Sequence, residues 1–173
     1  MNLHDSPDER GIIMEKLPTV SRIVHRVMVP VIFVLGMVMF LVVIAQVIFR
    51  YLLLRPLPWS EELARYLMVW VACLAASEAY AYGKHVGVTL IINAIKPGMR
   101  KIMTLVIHLA VAVLMAIIVY QGFMLSFLLR DQRSPALEIP MTVPYLAVPV
   151  GAGLLLIQAV VLFFKQMRES PTN

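Results

Sequence analysis

Residues 28–49 read MVPVIFVLGMVMFLVVIAQVIF, a stretch in which Gln46 is the one strongly polar side chain. A helix of about 20 apolar residues is long enough to cross the hydrocarbon core of a bilayer, which is about 30 Å thick. The stretch is too long for the apolar core of a cleaved signal peptide, which has about 7–15 residues, and it ends in VIFR rather than in small residues. It therefore predicts a retained transmembrane helix.

Three further apolar stretches follow the first, at residues 63–82, 102–129 and 143–164. The stretch at 102–129 is the longest and is expected to tilt or to project beyond the lipid. The connecting segments are short and contain proline, so they leave no room for a separate soluble domain. We predict an all-α membrane protein with four transmembrane helices, in a single membrane domain over residues 1–173 with polar tails at 1–17 and 165–173.

The composition supports this class, because 61% of the residues are apolar and 14% are charged. Soluble domains average about 45–50% apolar and about 25% charged residues, and disordered chains are less apolar still. The net charge of +5 comes from basic residues between the apolar stretches, which indicates membrane topology rather than nucleic-acid binding. The single cysteine, Cys73, excludes an intrachain disulfide framework and a cysteine-rich metal site.

The distribution of Lys and Arg predicts the orientation of the helices. Ten of these residues lie in the N-terminal segment, the second loop and the C-terminal segment, and five lie on the other side. Basic residues are enriched on the cytoplasmic side of membrane proteins, so both termini are expected to be cytoplasmic.

The segment before the first span, residues 18–27, has apolar residues at helical spacing, while Arg22, His25 and Arg26 fall on the other side. This pattern predicts an amphipathic interfacial helix that lies among the lipid headgroups. The alternative is that the segment is the cytoplasmic end of an overlong first helix.

The start of the second span combines a potential cap with charged residues. Ser60 is predicted as the N-cap, Glu61 and Glu62 complement the dipole of the first turn, and Arg65 can pair with Glu61 one turn later. This cluster stabilises a helix start at the membrane boundary, and it could also grip another subunit.

Two ionisable residues lie deeper in the spans. Glu78 has no basic residue three or four positions away. Either snorkelling or Lys84 accommodates its charge, or Glu78 is a proton-coupling carboxylate. His108 is either a hydrogen-bonded histidine or, with a second histidine such as His85, a haem ligand. No catalytic motif or metal-ligand motif is found in the sequence, so we predict no enzyme, no cofactor and no metal site.

The second span also carries small residues four positions apart, which let helix backbones approach closely in lipid. They form either a contact within the bundle or a docking face for a different membrane protein. The pairs are Ala72 with Ala76, Ala75 with Ala79, and Ser77 with Ala81.

Several short motifs, in order, resemble the small permease subunit of TRAP transporters, the DctQ family. The resemblance covers roughly residues 50–158. The motifs are Arg50-Tyr51, PWSEELARY at 58–66 with Trp70, GKHVGV at 83–88, SPALEIP at 134–140, Pro144-Tyr145 and VPVG at 148–151.

The resemblance implies a three-part transporter in the bacterial inner membrane. A periplasmic binding protein would deliver an organic acid, such as a dicarboxylate or sialic acid, and a large elevator-type subunit would move it with sodium ions. This chain would be a static scaffold for that large subunit, and the basic residues at its cytoplasmic ends favour bound phospholipid.

The resemblance, with the helix-start cluster and the small-residue pairs, gives a set of structural or partner-contacting residues. For the function of the chain, two alternatives to a transporter scaffold stay open. One is a membrane anchor of a redox complex, with or without haem, and the other is a self-associating small transporter. The candidate residues are Arg50, Trp59, Glu61, Glu62, Arg65, Trp70, Ala72, Ala76, Glu78, Ala79, Gly83 and His85.

Overall fold

The computed structural model describes residues 18–82 and 97–168, except for the side chains of residues 97, 98, 100 and 101. Within these ranges the chain is helical, and its one β-type pairing is an isolated bridge between Arg133 and Pro140. The all-α class is therefore confirmed. The helices are α1 (Thr19–Tyr51), α2 (Pro58–Ala81), α3 (Pro97–Leu128), the short α4 (Thr142–Tyr145) and α5 (Ala147–Arg168).

Three segments are long and apolar enough to cross a membrane: α1, residues 102–128 of α3, and the α4–α5 segment over 142–168. These segments correspond to the first, third and fourth predicted spans. The helix α2 forms where the second span was predicted, and it is 24 residues long. Its ionisable residues, among them Arg65 and Glu78, make it less apolar than the other three.

The helix α1 is continuous through the segment in which a separate interfacial helix was predicted. Residues 19–27 form the first turns of this 33-residue helix, and the backbone N–H of Arg22 donates to the carbonyl of Pro18 at 3.1 Å. A separate amphipathic helix is not seen in the described residues, in agreement with the alternative of an overlong first helix.

The helix α2 begins two residues before the predicted cap. Leu57 has extended backbone geometry and precedes Pro58, whose fixed φ and missing N–H suit the first turn of a helix. Ser60 is buried in that turn, and its hydroxyl donates to the carbonyl of Leu57 at 2.8 Å. The prediction of Ser60 as the N-cap was wrong, because the proline sets the helix start.

The long helices form a row rather than a closed bundle. The main contacts of α1 are with α2, α2 also packs on α5, and α5 packs on α3, so that α1 and α3 lie at the two edges. The edge helices expose large apolar side chains, such as Phe33 at 66% and Tyr120 at 71% of their surface. Such surfaces are suited to lipid or to another membrane protein.

Small residues bring the central helices close together. A Cβ atom added at Gly151 of α5 would lie 2.7 Å from the Cβ of Cys73 and 2.8 Å from its carbonyl oxygen in α2. Ala147 and Ala159 of α5 are fully buried. Close backbone approach therefore contributes to the packing at the centre of the row.

Candidate functional site

The carboxylate of Glu62 joins the start of α2 to the loop between α3 and α4. Its Oε2 accepts the backbone N–H groups of Ala136 and Leu137 at 2.9 and 3.0 Å. Its Oε1 accepts the hydroxyl of Tyr66. We call these four residues the Glu62 cluster; the prediction singled out Glu62, but its loop partners could not be inferred from the sequence.

The loop held by Glu62 has its own compact hydrogen-bond network. The backbone N–H of Ser134 donates to Ile139 at 2.9 Å, and the N–H of Glu138 donates back to Ser134 at 3.1 Å. Glu138 has a φ of 55°, in the left-handed region, and the Arg133 guanidinium donates to its carbonyl at 3.0 Å. The segment 133–140 is thus a tight turn whose amides face the Glu62 carboxylate.

The surroundings of Glu62 favour its charged form. The Tyr66 hydroxyl and the amides of Ala136 and Leu137 lower the pKa of the Glu62 carboxyl below its usual 4.5, against the opposing effect of burial. Glu62 precedes the predicted second span. At neutral pH the loop is therefore fastened to a carboxylate anion.

The other residues predicted at this end are more exposed. Arg65 and Glu61 form the expected ion pair at 3.4 Å, with both side chains about two-thirds exposed. Trp59 is 40% exposed, and the guanidinium of Arg50 lies 6.0 Å from the ring centre of Tyr51. These side chains are available to a partner, unlike Glu62.

Trp70 lines an apolar groove of about 370 Å³ between α1 and α2. Residues of the loop between α3 and α4 and of α4 also line this groove. The lining also includes Leu35, Leu67, Ile139 and Val143. The role of Trp70 as a structural or partner-contacting residue stays a prediction.

Near the C-terminal end of α2, away from the Glu62 cluster, Glu78 has a partner that the sequence did not reveal. Its Oε2 lies 2.8 Å from the Nδ1 of His25 in α1, and Glu78 is 7% exposed. The hydroxyl of Tyr82 is within 2.9 Å of the His25 ring nitrogens. The sequence feature that could have identified this partner is the position of His25 on the polar side of residues 18–27. A lone intramembrane carboxylate such as Glu78 needs a polar partner.

A second polar contact lies one turn away. The hydroxyl of Ser21 donates to the Oε1 of Gln158 in α5 at 2.6 Å, and both residues are fully buried. We call Ser21, His25, Glu78, Tyr82 and Gln158 the three-helix junction, because they join α1, α2 and α5.

His108 also has a partner within the chain. Its Nδ1 lies in hydrogen-bonding contact with the hydroxyl of Tyr80, which links α3 to α2. Within residues 18–82 and 97–168, no group of three or more His, Cys, Asp and Glu side chains is placed to hold a metal ion. The observed contact matches the expectation of a hydrogen-bonded histidine.

The small residues of α2 divide between two faces. Ser77 and Ala81 are buried within the row, whereas Ala72 and Ala76 are exposed, and Ala79 is half-buried. One pair therefore serves packing within the chain and another leaves an open face on α2. Two further candidates, Gly83 and His85, lie outside the described residues.

The row of long apolar helices and the polar contacts between them define a multi-pass α-helical membrane protein. The sequence pattern of the family "Tripartite ATP-independent periplasmic transporters, DctQ component" matches residues 39–169. The chain belongs to this family, as the motifs in its sequence indicated.

Individual relatives agree with the family. The chain is 36% identical over 101 residues to the C4-dicarboxylate TRAP transporter small permease protein DctQ of Rhodobacter capsulatus, covering 57% of this chain and 44% of the relative. It is 29% identical over 118 residues to a TRAP transporter small permease protein of Haemophilus influenzae, covering 68% of this chain and 72% of the relative.

A third relative is the isethionate TRAP transporter permease protein DctMQ of Oleidesulfovibrio alaskensis. The identity is 29% over 102 residues, which cover 58% of this chain and 16% of the relative. The chain thus spans less than half the length of the DctQ and DctMQ relatives that it matches.

Proposed function

We propose that this chain is the small scaffold subunit of a sodium-coupled TRAP transporter that imports an organic acid of the dicarboxylate or sialic acid class. The observation that carries the proposal is that buried polar groups pair with one another between helices of this chain. Glu78 pairs with His25, His108 with Tyr80, and each contact joins two helices of this chain. Such contacts hold a scaffold together, whereas a transporter needs polar groups along a path for its solute.

The large apolar surfaces of the row suit a subunit that supports another membrane protein. The two edge helices offer lipid-facing side chains on α1 and α3, and α2 offers an open face at Ala72 and Ala76. We assign to these surfaces the large elevator-type subunit and the surrounding phospholipid. The solute would bind to that large subunit and to a periplasmic binding protein, not to this chain.

The periplasmic end of the chain is assigned to the Glu62 cluster. Glu62 holds the loop 133–140 in place, and the exposed side chains of Trp59 and Arg65 are close to Glu62 in the sequence. Together they would give the partners a fixed surface. In this orientation both termini are cytoplasmic, α2 crosses the membrane as the second of four spans, and the first turns of α1 lie at the inner headgroups.

Co-purification tests the scaffold role. The chain would be tagged at its C-terminus, extracted from native membranes in mild detergent, and its bound proteins identified by mass spectrometry. We expect a much larger, many-span membrane protein in near-equal amount. Purification of the chain alone, followed by solute uptake into liposomes that contain only this chain, would contradict the proposal and favour a self-associating transporter.

The same preparation tests the redox alternative. A membrane anchor that uses His108 to hold haem would show a Soret absorbance band. We expect a colourless preparation under the scaffold role. A stoichiometric Soret band would contradict the scaffold role.

A further inference from the structure

The three-helix junction contains two buried polar atoms that have no hydrogen-bond partner in the described part of the chain. They are the Oε1 of Glu78 and the Nε2 of Gln158. Glu78 is 7% exposed and Gln158 is fully buried, so bulk water does not serve these atoms. A buried polar group without a partner destabilises the fold, so two such atoms in one junction point to a bound ligand.

The two atoms are complementary in hydrogen bonding, and their side chains contact neighbouring turns of α1. Glu78 Oε1 is an acceptor and Gln158 Nε2 is a donor. Their side chains are fixed by His25 and Ser21, which are four residues apart and therefore lie on one face of α1. Ser21 and His25 are about one helical turn apart, and one turn rises about 5.4 Å along the helix axis. A single oxygen atom that makes two hydrogen bonds bridges about the same distance.

We propose that the junction binds an ordered water molecule that bridges Glu78 and Gln158. The water donates one proton to Glu78 Oε1 and accepts the N–H of Gln158 Nε2. Its second proton can go to the oxygen of Ser21, which donates its own proton to Gln158 and keeps free lone pairs. The water then has three partners, the usual number for a buried water.

The donor chemistry favours water over a cation. An amide N–H repels a cation, so Gln158 Nε2 fits the lone pair of a water and not a sodium ion. In this arrangement the serine hydroxyl donates its proton to the amide oxygen at 2.6 Å, which leaves the amide NH2 group for the water.

Cryo-electron microscopy of the full chain in lipid nanodiscs, at a resolution that shows waters, tests the site directly. We expect a density peak within hydrogen-bonding distance of both Glu78 and Gln158. A continuous direct contact between the two side chains, or no peak, would overturn the proposal. A peak with shorter, metal-like distances that disappears in choline buffer would identify a cation instead.

A double-mutant cycle gives a second, independent readout from thermal unfolding. The variants are Gln158→Leu, Glu78→Met and their combination. If one water serves both side chains, the fall in Tm of the combination is smaller than the sum of the two single falls. Additive falls would overturn the shared ligand.

The matched control pairs Glu78→Met with Ser126→Ala. Ser126 is also a buried polar residue, but its hydroxyl donates to the carbonyl of Gly122 within α3. We expect additive falls in Tm for this pair. Because neither readout involves a second subunit, the outcome is independent of the scaffold role.

Discussion

The Oε2 of Glu62 lies 2.9 Å from the backbone nitrogen of Ala136, although 74 residues separate them in the sequence. The neighbouring amide of Leu137 donates to the same oxygen at 3.0 Å. One carboxylate therefore sets the position of the loop between α3 and α4 relative to the start of α2. The end of the molecule that we assign to partner binding depends on this contact.

Replacement of Glu62 by Gln should loosen the loop. The substitution removes the charge that strengthens the two amide contacts. We expect faster amide hydrogen exchange at residues 134–138 with little change in α3. Glu61→Gln is the matched control, since the Glu61 side chain is about two-thirds exposed. Equal exchange in the two variants would contradict a specific role for Glu62.

The stability of this loop should depend on pH in the acidic range. The folded-state pKa of Glu62 is lowered below 4.5, so the anion stabilises the fold above the ordinary carboxyl pKa. This stabilisation is lost as the pH falls through the lowered value. Hydrogen exchange of the loop, corrected for the intrinsic rate, should rise below about pH 4 in the native chain. In Glu62→Gln the same region should show a flatter profile.

The closest approach of α2 and α5 predicts a large effect at one glycine. Gly151→Ala would place a Cβ 2.8 Å from the backbone carbonyl oxygen of Cys73, which cannot move aside as a flexible side chain could. We expect a loss of about 1–3 kcal/mol in the free energy of unfolding, measured by denaturation in detergent.

Gly36→Ala is the control for this substitution. Gly36 lies within α1, and a Cβ added there would meet nothing within 4 Å. Alanine is the better helix former by about 0.5–1 kcal/mol, so this variant should be neutral or more stable. A destabilised Gly36→Ala beside an unchanged Gly151→Ala would contradict the observed packing.

Loss of the His25 ring should destabilise the contact between α1 and α2. His25→Ala leaves the buried Glu78 carboxylate without its partner, and we expect a loss of about 1–3 kcal/mol in the free energy of unfolding. His25→Gln should recover part of the loss, because its amide can donate to Glu78. Arg26→Ala, at an exposed position, should change little; a comparable loss there would point to a general effect of mutating α1.

Replacement of Arg65 by Ala should affect partner binding but not folding. Its ion pair with Glu61 is exposed, so Arg65→Ala should change the free energy of unfolding by less than about 1 kcal/mol. If Arg65 contacts a partner, the yield of the co-purified complex and the uptake rate should fall while the substrate preference stays the same. A shifted substrate preference would contradict the scaffold role.

Some of the site could be found in the sequence because it depends on near neighbours. The pairing of Arg65 with Glu61 follows from the spacing of four residues on a helix, and it was predicted correctly. The cap of α2 was misplaced because two local signals competed, and Pro58 set the helix start ahead of Ser60. The partner of Glu78 was missed because His25 is 53 residues away.

The all-α membrane class and the positions of the apolar helices could be predicted from the amino-acid sequence alone, because hydropathy and helical spacing are properties of continuous stretches. The motifs along residues 50–158 also indicated the family. The order of the helices in the row, the contact of Glu62 with Ala136, and the meeting of three helices at Glu78 and Gln158 became visible only in the folded chain. These features depend on how closely helix backbones approach, as at Gly151, and that distance is set by many side chains far apart in the chain.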